Sequence, residues 1–121
     1  MTKNTEQALT ELESRLANTQ DSARSTQAAK RHAKGFNTAR ENISKLCSDN
    51  LFREYGQLAV AAQRQRRDYE ELQTETAADG VITGISPINN EHITLGARFT
   101  SHDTVLIVND YSVLAGTQGY F

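Results

Sequence analysis

Tryptophan is absent from the 121 residues, proline and cysteine occur once each, and the formal net charge is only −2. The lone cysteine, Cys47, excludes an internal disulfide and any multi-cysteine zinc site. A near-balanced charge argues against a nucleic-acid partner held by bulk electrostatics. The longest run of large aliphatic side chains is Val105-Leu106-Ile107-Val108, far short of the roughly 20 apolar residues of a membrane-spanning helix. No apolar stretch follows Met1-Thr2-Lys3-Asn4-Thr5-Glu6, so no secretory signal is expected. Hydrophobic residues make up 37%, which leaves a thin core for a chain of one-domain length. The expectation is a soluble, cytoplasmic chain with no membrane and no nucleic acid among its partners.

What is present falls into two halves. Residues 1–78 carry 12 basic and 11 acidic side chains, whereas residues 79–121 carry Arg98 alone against Asp79, Glu91, Asp103 and Asp110. Five of the seven glycines (Gly80, Gly84, Gly96, Gly116 and Gly119) lie in the second part. Such a shift predicts helices first and strands afterwards. The fold class is therefore α/β, with a helical segment over 1–34 and one incomplete α/β unit over 35–121.

Leu9, Leu12 and Leu16 form one helical stripe, and Glu11 pairs with Arg15 at i, i+4. The stripe weakens after Ala17, so residues 18–29 are expected to be a frayed or mobile extension with little to bury. Gly35 ends the helical segment behind Lys30, Arg31, His32 and Lys34, cations suited to the negative end of a helix dipole. Thr38-Ala39-Arg40-Glu41 reads as a capping box. The helix it opens carries Ala39, Ile43, Leu46 and Cys47 on one face and stops at Ser48-Asp49-Asn50. A short extended piece is expected over 52–56, and either a helix over 64–76 or a partly ordered crossing loop. Beyond Asp79 the period becomes two. One strand runs from Gly80 to Ile85 with Val81, Thr83 and Ile85 on one face, closed by Ser86-Pro87. A second candidate covers 93–99. The third, 104–109, has a buried centre whose two apolar faces call for a layer on each side.

Few groups suggest chemistry. Leu114, Ala115, Gly116, Thr117, Gln118 and Gly119 follow a buried strand directly. Glycines placed there let backbone amides approach an anionic oxygen, such as a thioester oxygen becoming an enolate; a plain tight turn is the ordinary alternative. The segment is neither a nucleotide P-loop nor a dinucleotide fingerprint. Lys30, Arg31, His32, Lys34 and Arg40 fall within eleven residues, with Arg64, Arg66 and Arg67 further on. They suit an anionic cofactor such as coenzyme A, or form a solvated helix end. His32, His92 and His102 lack metal-ligand spacing, and no metal site is expected. Cys47 reads as a small core residue, and Asp110 beside Tyr111 as a turn former.

Thr38-Ala39-Arg40-Glu41-Asn42-Ile43 resembles the TARERI-type segment near the start of biotin-dependent acyl-CoA carboxyltransferase subunits. Asp79-Gly80-Val81-Ile82-Thr83-Gly84-Ile85 resembles their first sheet strand, and the run from Val108 to Gly119 their xxDxTVxxGxxG segment. Gln57-Leu58-Ala59-Val60-Ala61-Ala62-Gln63-Arg64 is similar to the acetyl-CoA and propionyl-CoA carboxylase β-subunit branch. The three main segments keep the family's order, and the resemblance covers residues 30–121. Ser112 stands for the usual Thr, and the stretch from Asn89 to Asp103 is longer than the family's tight turn, which points to a hairpin insertion.

The resemblance implies a partial crotonase-like (ClpP/crotonase) ββα fold preceded by N-terminal helices. It implies an enzyme that moves a carboxyl group from carboxybiotin to the α-carbon of an acyl-CoA thioester. The partners would be a biotin carboxylase and a biotin carrier protein, and the complete protein would be a homo-oligomer. On that reading the backbone of 114–119 lines the acyl-CoA pocket, and Lys34 and Arg40 contact coenzyme A phosphates. Because the family's active site needs a second half, the chain is expected to be an N-terminal fragment, inactive alone. The alternative is a small non-catalytic interaction module, with a partner-docking helix and strands that complete another sheet.

Overall fold

The computed structural model describes residues 4–47, 51–62, 65–88 and 103–116. Three helices come first: α1 (Thr5–Ala17), α2 (Ser25–Ala33) and α3 (Ala39–Leu46). A short strand β1 (Arg53–Tyr55), helix α4 (Tyr69–Glu75) and the strands β2 (Val81–Pro87) and β3 (Asp103–Asn109) follow. The sheet is antiparallel throughout, in the order β1-β2-β3. Arg53 faces Ile85 and Tyr55 faces Thr83, while the β2–β3 ladder runs from Val81 opposite Asn109 to Pro87 opposite Asp103.

The helix ends follow local chemistry. Asn4 and Gln7 cap α1 reciprocally in an Asn-x-x-Gln capping box. Thr38 and Glu41 do the same for α3, as expected: Glu41 N donates to Thr38 Oγ1 at 3.1 Å and Thr38 N to Glu41 Oε1 at 3.5 Å. Beyond α2, Gly35 takes φ +79°. Its amide donates to His32 O at 2.9 Å and the Phe36 amide to Arg31 O at 3.1 Å, the paired closure that stops a helix at a left-handed residue.

Residues 18–29 are not a frayed extension. The chain leaves α1 at Asn18, makes one 3-10 turn over Asp21–Ala23 and re-enters a helix at Ser25. Thr19 and Arg24 are buried there. Thr19 O accepts from Arg40 Nε at 2.8 Å, and Thr19 Oγ1 accepts from Gln57 Nε2 at 2.8 Å. The segment has little apolar surface and is held by polar bonds instead. The helix expected over 64–76 is shorter, occupying Tyr69–Glu75.

The core lies between α3 and one face of the sheet. Ile43, Ala78 and Ile82 are buried together, with Ala39, Cys47, Phe52 and Val108 packed against them. Cys47 thus has the core position expected of it, whereas Leu46 points into solvent. In β2 the alternation is as read, but the fully buried face is Ile82, Gly84 and Ser86. The other face, Val81, Thr83 and Ile85, is half-covered. In β3 only Leu106 is buried, while Val105 and Ile107 are 69% and 73% exposed. The expectation of a layer on both sides of β3 therefore fails among the described residues. The candidate strand at 93–99 and the expected hairpin insertion after Asn89 lie outside the described residues, apart from the Asp103 end. No described helix is long and apolar enough to cross a membrane.

Candidate functional site

A cleft of about 510 Å³ opens between α2, the end of α4 and the exit of β3. Lys30, Arg31 and Lys34 line it on one side, Glu75 and Tyr111 on the others. The cations stand there because α2 ends at Ala33, with Lys30, Arg31 and His32 in its last turn. Arg31 is fixed in place: its guanidinium carbon lies 4.8 Å from the Phe36 ring centroid and 5.2 Å from that of Tyr111. A guanidinium between two rings keeps its charge while losing rotamer freedom. Lys30 and Lys34 remain exposed at the mouth. The wall is thus cationic and partly aromatic, which suits a phosphate-bearing ligand that also offers a flat ring.

Behind the wall lies Arg24, only 4% exposed. Its Nε donates to Thr74 O at 3.1 Å, and its Nη1 to Ser112 Oγ at 3.1 Å and Asp110 Oδ2 at 3.3 Å. Asp110 Oδ1 accepts from Ser112 N at 2.9 Å and from Ser112 Oγ at 2.6 Å. Asp110 is therefore the turn former expected, and also half of a buried ion pair. Arg24 was missed in the sequence, where Ser22-Ala23-Arg24-Ser25 gives no local sign of burial.

The chain then makes a left-handed turn over Leu114–Gly116, with φ of +46°, +55° and +79°. A similar run, Ala78, Asp79 and Gly80, precedes β2 at the same end of the ladder, with φ of +53°, +51° and +74°. Non-glycine residues held left-handed store strain; one run opens the segment expected to carry chemistry and the other lies beside it at the same end of the ladder. The Gly116 amide donates to Val113 O at 2.9 Å, so in this arrangement it is engaged within the chain. Thr117, Gln118 and Gly119 lie outside the described residues.

Of the two expected phosphate contacts, the structure brings Lys34 to the cleft and not Arg40. Arg40 pairs with Glu54 and bonds Thr19 O instead; its donors are turned inward, as a structural brace. His32 contacts Glu41 rather than the cleft. Among the described residues no group of three or more His, Cys, Asp or Glu side chains could hold a metal ion. Arg64, His92 and His102 lie outside them.

No family model and no curated protein matches the chain. Solved structures do. Over 98% of its length the chain is similar to part of a single-chain, multi-domain long-chain acyl-CoA carboxylase, at 42% identity and a TM-score of 0.83. It shares its fold with two structures of transcarboxylase 12S. One, with hydrolysed methylmalonyl-coenzyme A bound, is 20% identical with a TM-score of 0.71 over 98% of this chain. The other, with methylmalonyl-coenzyme A and methylmalonic acid bound, is 21% identical with a TM-score of 0.64 over 97%. The chain spans 11% of the carboxylase and 20–21% of the transcarboxylase chains. In kind the chain is similar to a segment of an acyl-CoA carboxylase, and the carboxylase it matches acts on long-chain acyl-CoA by its own description. The likeness reaches beyond the 30–121 read from the sequence and takes in α1 and α2.

Proposed function

We propose that this chain forms the acyl-CoA-binding start of a biotin-dependent acyl-CoA carboxyltransferase, of crotonase-like fold and cytoplasmic. Residues 1–34 are its helical segment and 35–121 the start of its catalytic domain. The observation that carries the reading is the 42% identity to a long-chain acyl-CoA carboxylase over 98% of this chain. The basic cleft supports it, since Lys30, Arg31 and Lys34 offer the charge that coenzyme A phosphates need.

On this reading the thioester end reaches toward 114–119. Its carbonyl oxygen gains charge as the α-proton leaves, and backbone donors aimed at that oxygen lower the barrier. The Gly116 amide bonds Val113 O, so on this reading it is not that donor in this arrangement. Carboxybiotin is the second substrate, brought by a biotin carrier protein that a biotin carboxylase loads, and its carboxyl group goes to the acyl α-carbon. The complete protein is a homo-oligomer on this reading, as the transcarboxylase 12S core is a hexamer by its description.

The test is a chimera in which this chain replaces the matching segment of the long-chain acyl-CoA carboxylase. Carboxylation within about tenfold of the parent is expected. A chimera that folds and assembles but carboxylates no acyl-CoA overturns the proposal. A second reading, an interaction module, draws on the exposed Leu9 and Leu12 of α1 and on Val105 and Ile107 of β3, and that inactive chimera is the outcome favouring it.

A further inference from the structure

We infer that Arg24 is a positioning residue that couples occupancy of the basic cleft to the order of the turn leaving β3. The inference rests on the reading above in one respect, that the occupant is coenzyme A or its thioester.

The geometry is a relay of hydrogen bonds. Arg24 reaches across 86 and 88 residues of sequence to Asp110 and Ser112, and across 50 to Thr74. Asp110 N donates to Gly80 O at 2.8 Å, Val113 N to Asp110 O at 3.0 Å and Gly116 N to Val113 O at 2.9 Å. Each bond hands the position of one residue to the next, from the guanidinium to the left-handed turn. The residues on either side of Arg24 in sequence, Ala23 and Ser25, line the cleft, as do its partners Thr74 and Ser112. Tyr111 belongs to both places: its ring packs on Arg31 and lies within ordinary contact of a Cβ built at Gly116, at 3.6 Å.

One guanidinium nitrogen stands outside this relay. Arg24 Nη2 is buried and has no hydrogen-bond partner among the described residues. Buried polar groups in folded proteins are almost always paired, and an unpaired one calls for an acceptor. Nη2 has no open surface and Arg24 does not itself line the cleft, so a ligand acts on the guanidinium through Thr74 and Ser112, which line the cleft and hold it. A phosphate seated against Ser112 draws Asp110 and Arg24 into one fixed arrangement. Phosphate binding at one end of the ligand thereby tightens the turn expected at its reactive end.

Amide hydrogen exchange of the chain, with and without coenzyme A, tests this. In the wild type coenzyme A should slow exchange at Val113 and Gly116 by about fivefold or more. In Arg24→Met, exchange at those amides should rise by about tenfold without ligand while the β2–β3 ladder keeps its protection, and coenzyme A should no longer slow it. Arg24→Lys keeps the charge but not the fork, so it should recover coenzyme A affinity without recovering the coupling. Wild-type exchange and wild-type slowing in a folded Arg24→Met overturn the inference. Should Arg24→Met lose the ladder, Ser112→Ala takes its place: a halved coenzyme A effect supports the inference, an unchanged one overturns it. If the wild-type chain binds no coenzyme A, the functional reading fails on its own. The positioning role is then judged by ligand-free exchange, faster in the variant or not.

Discussion

Arg40 and Glu54 meet in a two-pronged ion pair, Nη1 to Oε2 at 2.9 Å and Nη2 to Oε1 at 3.0 Å. The third donor, Nε, goes to Thr19 O at 2.8 Å. One side chain therefore ties α3 to β1 and to the turn after α1, the polar counterpart of the small apolar cluster around Ile43. With side-chain exposures of 14% and 8%, removing either partner strands the other in a poorly solvated place. Arg40→Met should cost about 3 kcal/mol in a denaturant titration. Arg40→Met with Glu54→Leu should recover much of that loss, because two apolar groups leave no charge behind. A loss below about 0.5 kcal/mol for the single variant would make the pair an ordinary surface contact.

Arg40 also shows what could be read in advance. Thr38-x-x-Glu41, the Gly35 stop and the alternation of 81–85 act within a few residues, so spacing alone reveals them. Arg40 sits in the same readable stretch, yet its role depends on Glu54 and Thr19, which only the fold brings close. Spacing grouped it with Lys34 as a phosphate contact for that reason. Arg24 is the extreme case, with partners 50 to 88 residues away. The buried face of β2 was missed because its inward residues include Gly84 and Ser86, which a hydrophobic pattern does not mark.

Gly84 lies inward opposite Glu54 and Leu106. A Cβ there would overlap the Arg53 carbonyl oxygen and the Phe52 ring. The ring could swing aside, but the carbonyl is backbone in the neighbouring strand and can move only with β1. Gly84→Ala should therefore destabilise by about 1–3 kcal/mol. Chemical shifts should change along 52–55 more than along β3. Unaltered stability would mean that β1 is held loosely enough to retreat.

Glu41 gives the fold an acid-sensitive joint. Its bond to His32, then its bond to the Thr38 amide, holds the carboxyl below its ordinary 4.5, with burial opposing. The folded state thus prefers the carboxylate. Its stabilising contribution is present above pH 4.5 and is lost as the pH falls through the lowered folded value. Glu41→Gln keeps a capping side chain while removing the charge. Wild type should exceed the variant in stability at pH 7, and the gap should close on acidification below 4.5. A gap independent of pH would assign the effect to packing rather than ionisation.

The cleft separates two kinds of cation that the sequence placed side by side. Lys30 and Lys34 are exposed and line the cleft, so reversing them disturbs no buried partner. Lys30→Glu with Lys34→Glu should lower stability by about 1–2 kcal/mol, through the carboxylates placed at the C-terminal end of α2, and weaken coenzyme A binding by about tenfold at low salt. The difference should shrink as salt screens it, since both side chains act through solvent. Arg40→Met should lower stability further, while the remaining folded protein binds coenzyme A as the wild type does. Equal loss of affinity in both variants would return Arg40 to the binding surface, and none in the lysine variant would remove coenzyme A from this cleft.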